Sequence, residues 1–186
     1  VIRTLIIDQK KRRAAAKHRA YRRTLNGRIG RAAEWANKLA KKHEIDGRIS
    51  TKELQDIYKQ QGGLCLFTGR SLTPDRPKAD SHLSLDHIVA ITCPSKVAVG
   101  SSENMALVRL PINRIKNNKP LCEMFEQNKP ILTQHMIDYL PTARQIEIVE
   151  LQYKQLKALG REVAEGDYVI VRNYRRKSNG RKHKTN

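Results

Sequence analysis

The chain has no long apolar run. Hydrophobic residues make up 39% of its 186 positions, and no stretch approaches the roughly 20 residues needed to span a bilayer, which argues against a membrane protein. The apolar patch near Val1–Ile7 is too short for a secretory leader and precedes the basic block. Cysteine is scarce too. Cys65, Cys93 and Cys122 form no CxxC pair, so neither a disulfide framework nor a complete zinc ribbon is supported, and a reducing, cytoplasmic setting fits best. Acidic residues are nearly missing from both ends: residues 1–43 hold 14 Lys+Arg against 2 Asp+Glu, and residues 170–186 hold 7 against none.

What is present is positive charge, and its placement matters. The formal net charge of +19 belongs wholly to those two arms, because residues 44–169 carry 16 basic and 16 acidic side chains. A neutral body with two cationic arms is the form expected of a protein that grips a polyanion, and DNA, most simply double-stranded, is the expected partner. Counterion release would make such binding steeply salt-dependent. An anionic membrane surface fits less well, since no basic stretch carries a broad, bulky apolar face. The side chains expected to touch the phosphate backbone are Lys10, Lys11, Arg12, Arg13, Lys17 and Arg19, followed by Arg22 and Arg23. Arg114 in the body and Arg175, Arg176 and Lys177 in the tail complete the set.

Periodicity gives an α+β chain, mostly helical. Residues 9–23 combine good helix formers with basic residues on every face, and so are expected to order fully only against nucleic acid. Asn26-Gly27 and Gly30 break that segment, and a second helix is expected at about 31–43, with Ala32, Trp35, Ala36, Leu39 and Ala40 on one face. Trp35 is read as a core anchor in preference to a base-stacking group. Ser50-Thr-Lys-Glu53 is a capping box opening a helix that Gly62-Gly63 ends. Leu64–Thr68 looks like a short strand, and 73–81 is a polar loop. Leu83, Leu85 and His87 alternate with Ser84 and Asp86 as a strand does. Asn104–Val108 is a second strand, and Pro111 sits where a helix would start. Helices follow over Ile131–Leu140 and about Ala143–Leu159, the latter with Ile146, Val149, Tyr153 and Leu156 on one face and Gly160 as cap. Asp167–Asn173 is a last short strand before a tail expected to be partly disordered. The domain reading is a basic DNA-binding arm (1–49), a core (50–127) and a helical C-terminal region with strand and basic tail (128–186).

Asp86, His87, Asn104, Asn113 and Lys116 carry the chemistry. A helix starting near Pro111 would set Asn113 in its first turn, facing back onto the strands. A carboxylate and an amide oxygen converging there are hard ligands suited to Mg²⁺ or Mn²⁺ that keeps several waters. An imidazole beside that ion can take a proton from a water attacking a phosphodiester, while the ion stabilises charge on the phosphate and the leaving oxygen.

At these residues the chain resembles the HNH, or ββα-metal, endonucleases, and in particular the zinc-free HNH domains of RNA-guided CRISPR nucleases and phage-type HNH proteins. The resemblance runs from Ser50 to about Asn118, roughly a third of the chain, and includes Cys65-Leu-Phe-Thr-Gly69, Asp86-His87, Asn104 and Asn113-Arg-Ile-Lys116. It implies a central ββα-metal unit in which His87 is the general base, Asp86 and Asn113 are the metal ligands, Asn104 braces the loop between the strands, and Lys116 contacts the scissile phosphate. It implies cleavage to 5′-phosphate and 3′-hydroxyl ends, by nicking or, with a dimer or two successive nicks, by double-strand cleavage. Many HNH domains bind a structural zinc through two CxxC pairs. Here those positions fall at Cys65 and Thr68 and near Arg109 and Ile112, so no structural zinc is expected. Leu64, Leu66, Leu83, Leu85, Ile88, Leu107 and Ile112 are the candidate core, with Cys65 a small buried residue.

Two rivals stay open: a non-catalytic basic nucleic-acid-binding module, and a nuclease domain of a larger RNA-guided enzyme. The start at Val1 in place of Met allows the latter, whereas the helical C-terminal third with its tail looks like a complete small protein. That third also offers a candidate homodimer surface. The other histidines (His18, His43, His82, His135 and His183) have no comparable context, and His82 is expected on the surface or in a turn.

Overall fold

The computed structural model describes residues 2–73, 82–94, 98 and 100–172. Its element order is α1 (Ile2–Arg23), α2 (Leu25–Lys42), α3 (Thr51–Gln60), β1 (Leu83–His87), β2 (Met105–Arg109), α4 (Leu110–Lys116), α5 (Leu121–Met124), β3 (Ile131–Thr133), α6 (Gln134–Tyr139), α7 (Thr142–Ala158) and β4 (Val169–Val171). The fold is α+β and mostly helical.

Local chemistry explains several of these limits. Ser50 and Glu53 close a reciprocal capping box at the start of α3, which satisfies two otherwise orphaned backbone donors. Past its end, Gly62 and Gly63 take positive φ of 64° and 69°, and a Cβ on either would come within 3.0 Å of Tyr139 or Tyr58. Leu64–Thr68 is a hooked turn carrying one bridge, Leu64 to Ser71, where a strand was expected. The Leu66 amide donates to the Leu107 carbonyl at 3.1 Å, which fastens the hook to β2.

The second helix starts earlier than the glycines imply. Thr24 caps it by accepting from the Gly27 amide, and Gly27 and Gly30 lie inside its first turns. A Cβ at Gly30 would meet the Thr51 side chain of α3 at ordinary van der Waals distance, and Gly27 is buried, so both glycines continue the helix where the sequence suggests a break. Along α1 the described side chains from Arg12 to Tyr21 are exposed, in keeping with a helix that buries no stripe.

At the centre β1 and β2 pair antiparallel, Leu85 opposite Leu107 and His87 opposite Met105. Pro111 sits in the first turn of α4, directly after β2, where its fixed φ and missing N–H cost nothing. One hydrophobic cluster joins Ile29, Ala33 and Ala36 of α2 to this ββα unit and on to Ile148 and Leu156 of α7. Of the expected core, Leu66, Leu83, Leu85, Ile88, Leu107 and Ile112 are buried, as is Cys65; Leu64 is only half-buried.

Side-chain amides reinforce the apolar packing. Four of them each grip both the N–H and the C=O of one backbone residue: Asn37 on Ile49, Gln61 on Leu107, Asn104 on Val89 and Gln152 on Ile131, at 2.7–3.1 Å. Each restores in one side chain what a neighbouring strand would supply.

The C-terminal third departs from the helical reading. Ile131–Thr133 is a strand, paired in parallel with β4 (Ile131 opposite Val169), and Thr133 then caps α6. On α7 the buried face is Ile148, Gln152, Gln155 and Leu156. Ile146, expected inside, is exposed. Gly160 follows the helix with φ 74°, the left-handed stop expected there. Among the described residues no helix is long and apolar enough to cross a membrane.

Candidate functional site

Asp86 and His87 end β1, and Asn113 sits in the first turns of α4. All three line one recess of about 390 Å³, together with Trp35, Leu39, His43, Arg114 and Asn117. Asn113 is fixed by its amide nitrogen, which donates to the Ser84 hydroxyl at 2.8 Å and the Leu85 carbonyl at 2.7 Å. A carbonyl can only accept, so the NH₂ group must face Leu85, and the oxygen is the end left for other partners.

Asn104 is fully buried, in the short 3-10 turn directly before β2. It accepts from the Val89 amide at 2.7 Å and donates to the Val89 carbonyl at 3.0 Å, closing the chain that leaves β1 onto the strand that returns. It does not line the recess.

Lys116 differs from the role that the resemblance implies for it. Its side chain has no exposed surface. Its ammonium lies 3.0 Å from Asp86 Oδ2, donates to Asp86 Oδ1 at 3.3 Å and donates to the His87 carbonyl at 2.7 Å. An amine engaged in this way is held beneath the site, out of reach of a phosphate entering the recess. Lys116 therefore braces the Asp86 carboxylate and the His87 backbone.

Burial governs the titration of both acid–base groups. Asp86 is pushed up to about 6 by loss of water, with the Lys116 charge pulling the other way. His87 is pulled down to about 4, first by the same loss of water and then by repulsion from Lys116. The imidazole is thus neutral at physiological pH and able to accept a proton. One buried polar atom of the pair, His87 Nε2, has no hydrogen-bond partner, and Asp86 Oδ2 has the Lys116 ion pair but no geometrically formed hydrogen bond. An atom such as His87 Nε2 is costly unless it serves a ligand or a reaction.

Of the residues expected to bind DNA, Arg114 is exposed and lines the recess. Arg12, Arg13, Lys17, Arg19 and Arg23 are exposed along α1. The side chains of Lys10, Lys11 and Arg22, and all of Arg175, Arg176 and Lys177, lie outside the described residues. Among the described residues no three His, Cys, Asp or Glu side chains cluster as a metal site.

Sequence reasoning missed the wall of the recess. Trp35, read as a core anchor, is 55% exposed. His82 is half-buried, facing Arg28 with ring nitrogens 3.2 and 3.4 Å from its guanidinium. It lines a second recess of about 500 Å³ that shares Trp35, Leu85 and Asn113 with the first. The position of His82 one residue before β1 was the available signal.

No family model matches the chain, and no curated protein does. Among solved structures, the crystal structure of the type II-C Cas9 enzyme from Actinomyces naeslundii matches with a TM-score of 0.36 and 20% identity, over 84% of this chain and 16% of that one. The chain thus spans about a sixth of that enzyme's length, and a likeness at this level carries no functional conclusion.

Proposed function

We propose that the protein is a metal-dependent DNA endonuclease of the HNH type, hydrolysing phosphodiesters at the recess formed by Asp86, His87 and Asn113. The observation that carries this reading is the convergence of a carboxylate, an oriented amide and a neutral imidazole on one recess, with His87 Nε2 buried and without a hydrogen-bond partner. Two hard oxygen donors suit Mg²⁺ or Mn²⁺, which bind through one or two protein groups and retain waters. Asp86 and Asn113 would hold the ion. When bound, it would neutralise charge developing on the phosphate and the leaving 3′-oxygen.

The chain's own residues supply the rest. His87 Nε2 takes a proton from the attacking water, and the depressed imidazole pKa keeps that nitrogen available at neutral pH. Water oxygen attacks phosphorus, the bond to the 3′-oxygen breaks, that oxygen takes a proton from solvent while the imidazolium releases its own, and the products are 5′-phosphate and 3′-hydroxyl ends. Lys116 holds Asp86 and the His87 backbone in register. Arg114 and the cationic face of α1 supply backbone contacts that give affinity without reading bases. One such site cuts one strand, so a monomer nicks duplex DNA.

One observation favours a second reading, a non-catalytic nucleic-acid-binding module. The Lys116 ammonium already neutralises Asp86 as a bound cation would. The discriminating experiment is relaxation of supercoiled plasmid with Mg²⁺ or Mn²⁺, with EDTA as control. Metal-dependent conversion to nicked circles supports the nuclease. Binding without cleavage of supercoiled, linear and branched DNA in either metal overturns it.

A further inference from the structure

Trp35 stands in the wrong environment for a core residue. Its neighbours on α2 at Ala33, Ala36 and Ala40 are buried, while the indole keeps 55% of its surface in water. Tryptophan is among the residues with most to gain from burial, so a large exposed indole asks for a partner. This one borders both recesses, with Asp86, His87 and Arg114 on one side and Arg28, Arg31, Lys38 and His82 on the other.

The spacing on α2 is informative. Arg28, Arg31, Trp35 and Lys38 recur at three and four residues and so share one helix face. Arg31, Trp35 and Lys38 are all exposed. One acid, Glu34, lines the same recess, leaving cations in excess. Asn113 and Leu85 line both recesses, so a strand whose phosphate sits against His87 can continue past Trp35 into the cationic recess.

An aromatic platform beside a cationic groove is how proteins hold single strands: cations follow the backbone while the ring stacks on a base. Within a duplex both faces of each base are covered by its neighbours. A base can lie on Trp35 only where it is unpaired, frayed or flipped out of the stack. We propose that Trp35, with Arg31 and Lys38, forms a binding site for an unpaired DNA nucleotide next to the cleaved phosphate, so that the preferred substrate is a bubble, flap or junction in preference to perfect duplex. The proposal rests on the nuclease reading for its position on the strand, and its test does not.

The chain has a single tryptophan, so indole emission reports on Trp35 alone when tyrosine is not excited. The full chain is titrated in EDTA with three probes of one sequence: a single strand, a perfect duplex, and a duplex with a central mismatched bubble. Emission and fluorescence anisotropy are recorded together. The proposal expects quenching by the single strand and the bubble but not by the duplex. Trp35→Ala should weaken binding of those two probes about tenfold, within the range for loss of one base–aromatic stack, and Trp35→Phe should recover most of it. Duplex binding should change less than twofold. Because the indole is exposed, these variants should keep their circular-dichroism spectrum and melting temperature. Equal quenching by duplex, or an equal loss on all three probes, overturns the proposal.

Cleavage of the same probes in Mg²⁺ separates the two ideas. Quenching with no cutting of any probe upholds the nucleotide site and removes the nuclease reading. Cutting of duplex and bubble at one rate with no quenching removes the nucleotide site and leaves the nuclease.

Discussion

Replacing Lys116 by Met tests how the site is held. The ammonium is fully buried and lies 3.0 Å from Asp86 Oδ2, and it also donates to the His87 carbonyl. Methionine keeps most of the volume and removes the charge. Above pH 7 the Asp86 carboxylate would then be buried and uncompensated, a situation that costs about 3–5 kcal/mol. Below pH 5 the carboxyl is protonated in either protein, and the loss shrinks to the hydrogen bonds, about 1 kcal/mol. The sign follows from linkage. Asp86 has a folded pKa of about 6, above its ordinary value, and losing Lys116 raises it further. The folded variant therefore binds a proton more tightly than the unfolded chain does, and its stability falls as pH rises through the folded pKa. At about 2–4 °C per kcal/mol for a chain of this size, the melting temperature should drop by roughly 10 °C at pH 8 and by only a few degrees at pH 5. Scanning calorimetry of both proteins across that range, without metal, is the assay. The double variant Lys116→Met/Asp86→Asn should recover most of the loss at pH 8. A penalty that does not change with pH, or no recovery in the double variant, would refute the buried-pair account.

Further outcomes follow from the same geometry. Asn104→Ala strands both the N–H and the C=O of Val89 in the interior, and should cost about 2–4 kcal/mol in urea unfolding; a loss under about 0.5 kcal/mol would show that the bridge is dispensable. At limiting Mg²⁺ the acid limb of cleavage should follow Asp86, whose carboxyl burial pushes up to about 6 in the metal-free protein, and not His87, which stays neutral down to about 4. Protons and Mg²⁺ compete for that carboxylate, so raising Mg²⁺ should move the limb to lower pH; a limb that ignores Mg²⁺ would exclude Asp86 as a ligand. Asn117, after α4, is held at φ 50° and ψ −130°, a region that suits glycine, and Asn117→Gly should stabilise the fold by about 0.5–1 kcal/mol. A lower melting temperature in that variant would mean that the asparagine side chain earns its strained backbone.

The parts of the structure legible in the sequence were those fixed by neighbours along the chain. The Ser50–Glu53 box, the Leu83/Leu85 alternation and Pro111 at the head of α4 are local signals, and they locate the ββα unit and its polar residues. What escaped depends on distant partners. Ile131–Thr133 reads as the start of a helix until β4, beginning at Val169, supplies backbone bonds. Gln152 and Gln155 are polar and give no apolar signal for the buried stripe of α7, yet Gln152 lies inside by pairing with both backbone groups of Ile131. Gly27 and Gly30 look like breaks by propensity, yet the helix capped at Thr24 runs through both. Trp35 shows the limit most clearly. Periodicity set it among the apolar residues of its helix, and only the path of the ββα unit past α2 decides that this edge faces the recess. Lys116 is the converse, a charge whose burial could not be read without the carboxylate beneath which it folds.

The central claim is that His87 acts as a base at a metal-dependent hydrolytic site, and a single-turnover cleavage rate tests it most directly. The wild-type protein and His87→Ala would be compared in saturating Mg²⁺ on one labelled DNA carrying a central bubble, with DNA affinity measured separately in EDTA. The account predicts a rate lower by about 10²–10⁴-fold, the usual contribution of a positioned general base, with DNA affinity changed less than twofold. Cleavage by His87→Ala at the wild-type rate would contradict it.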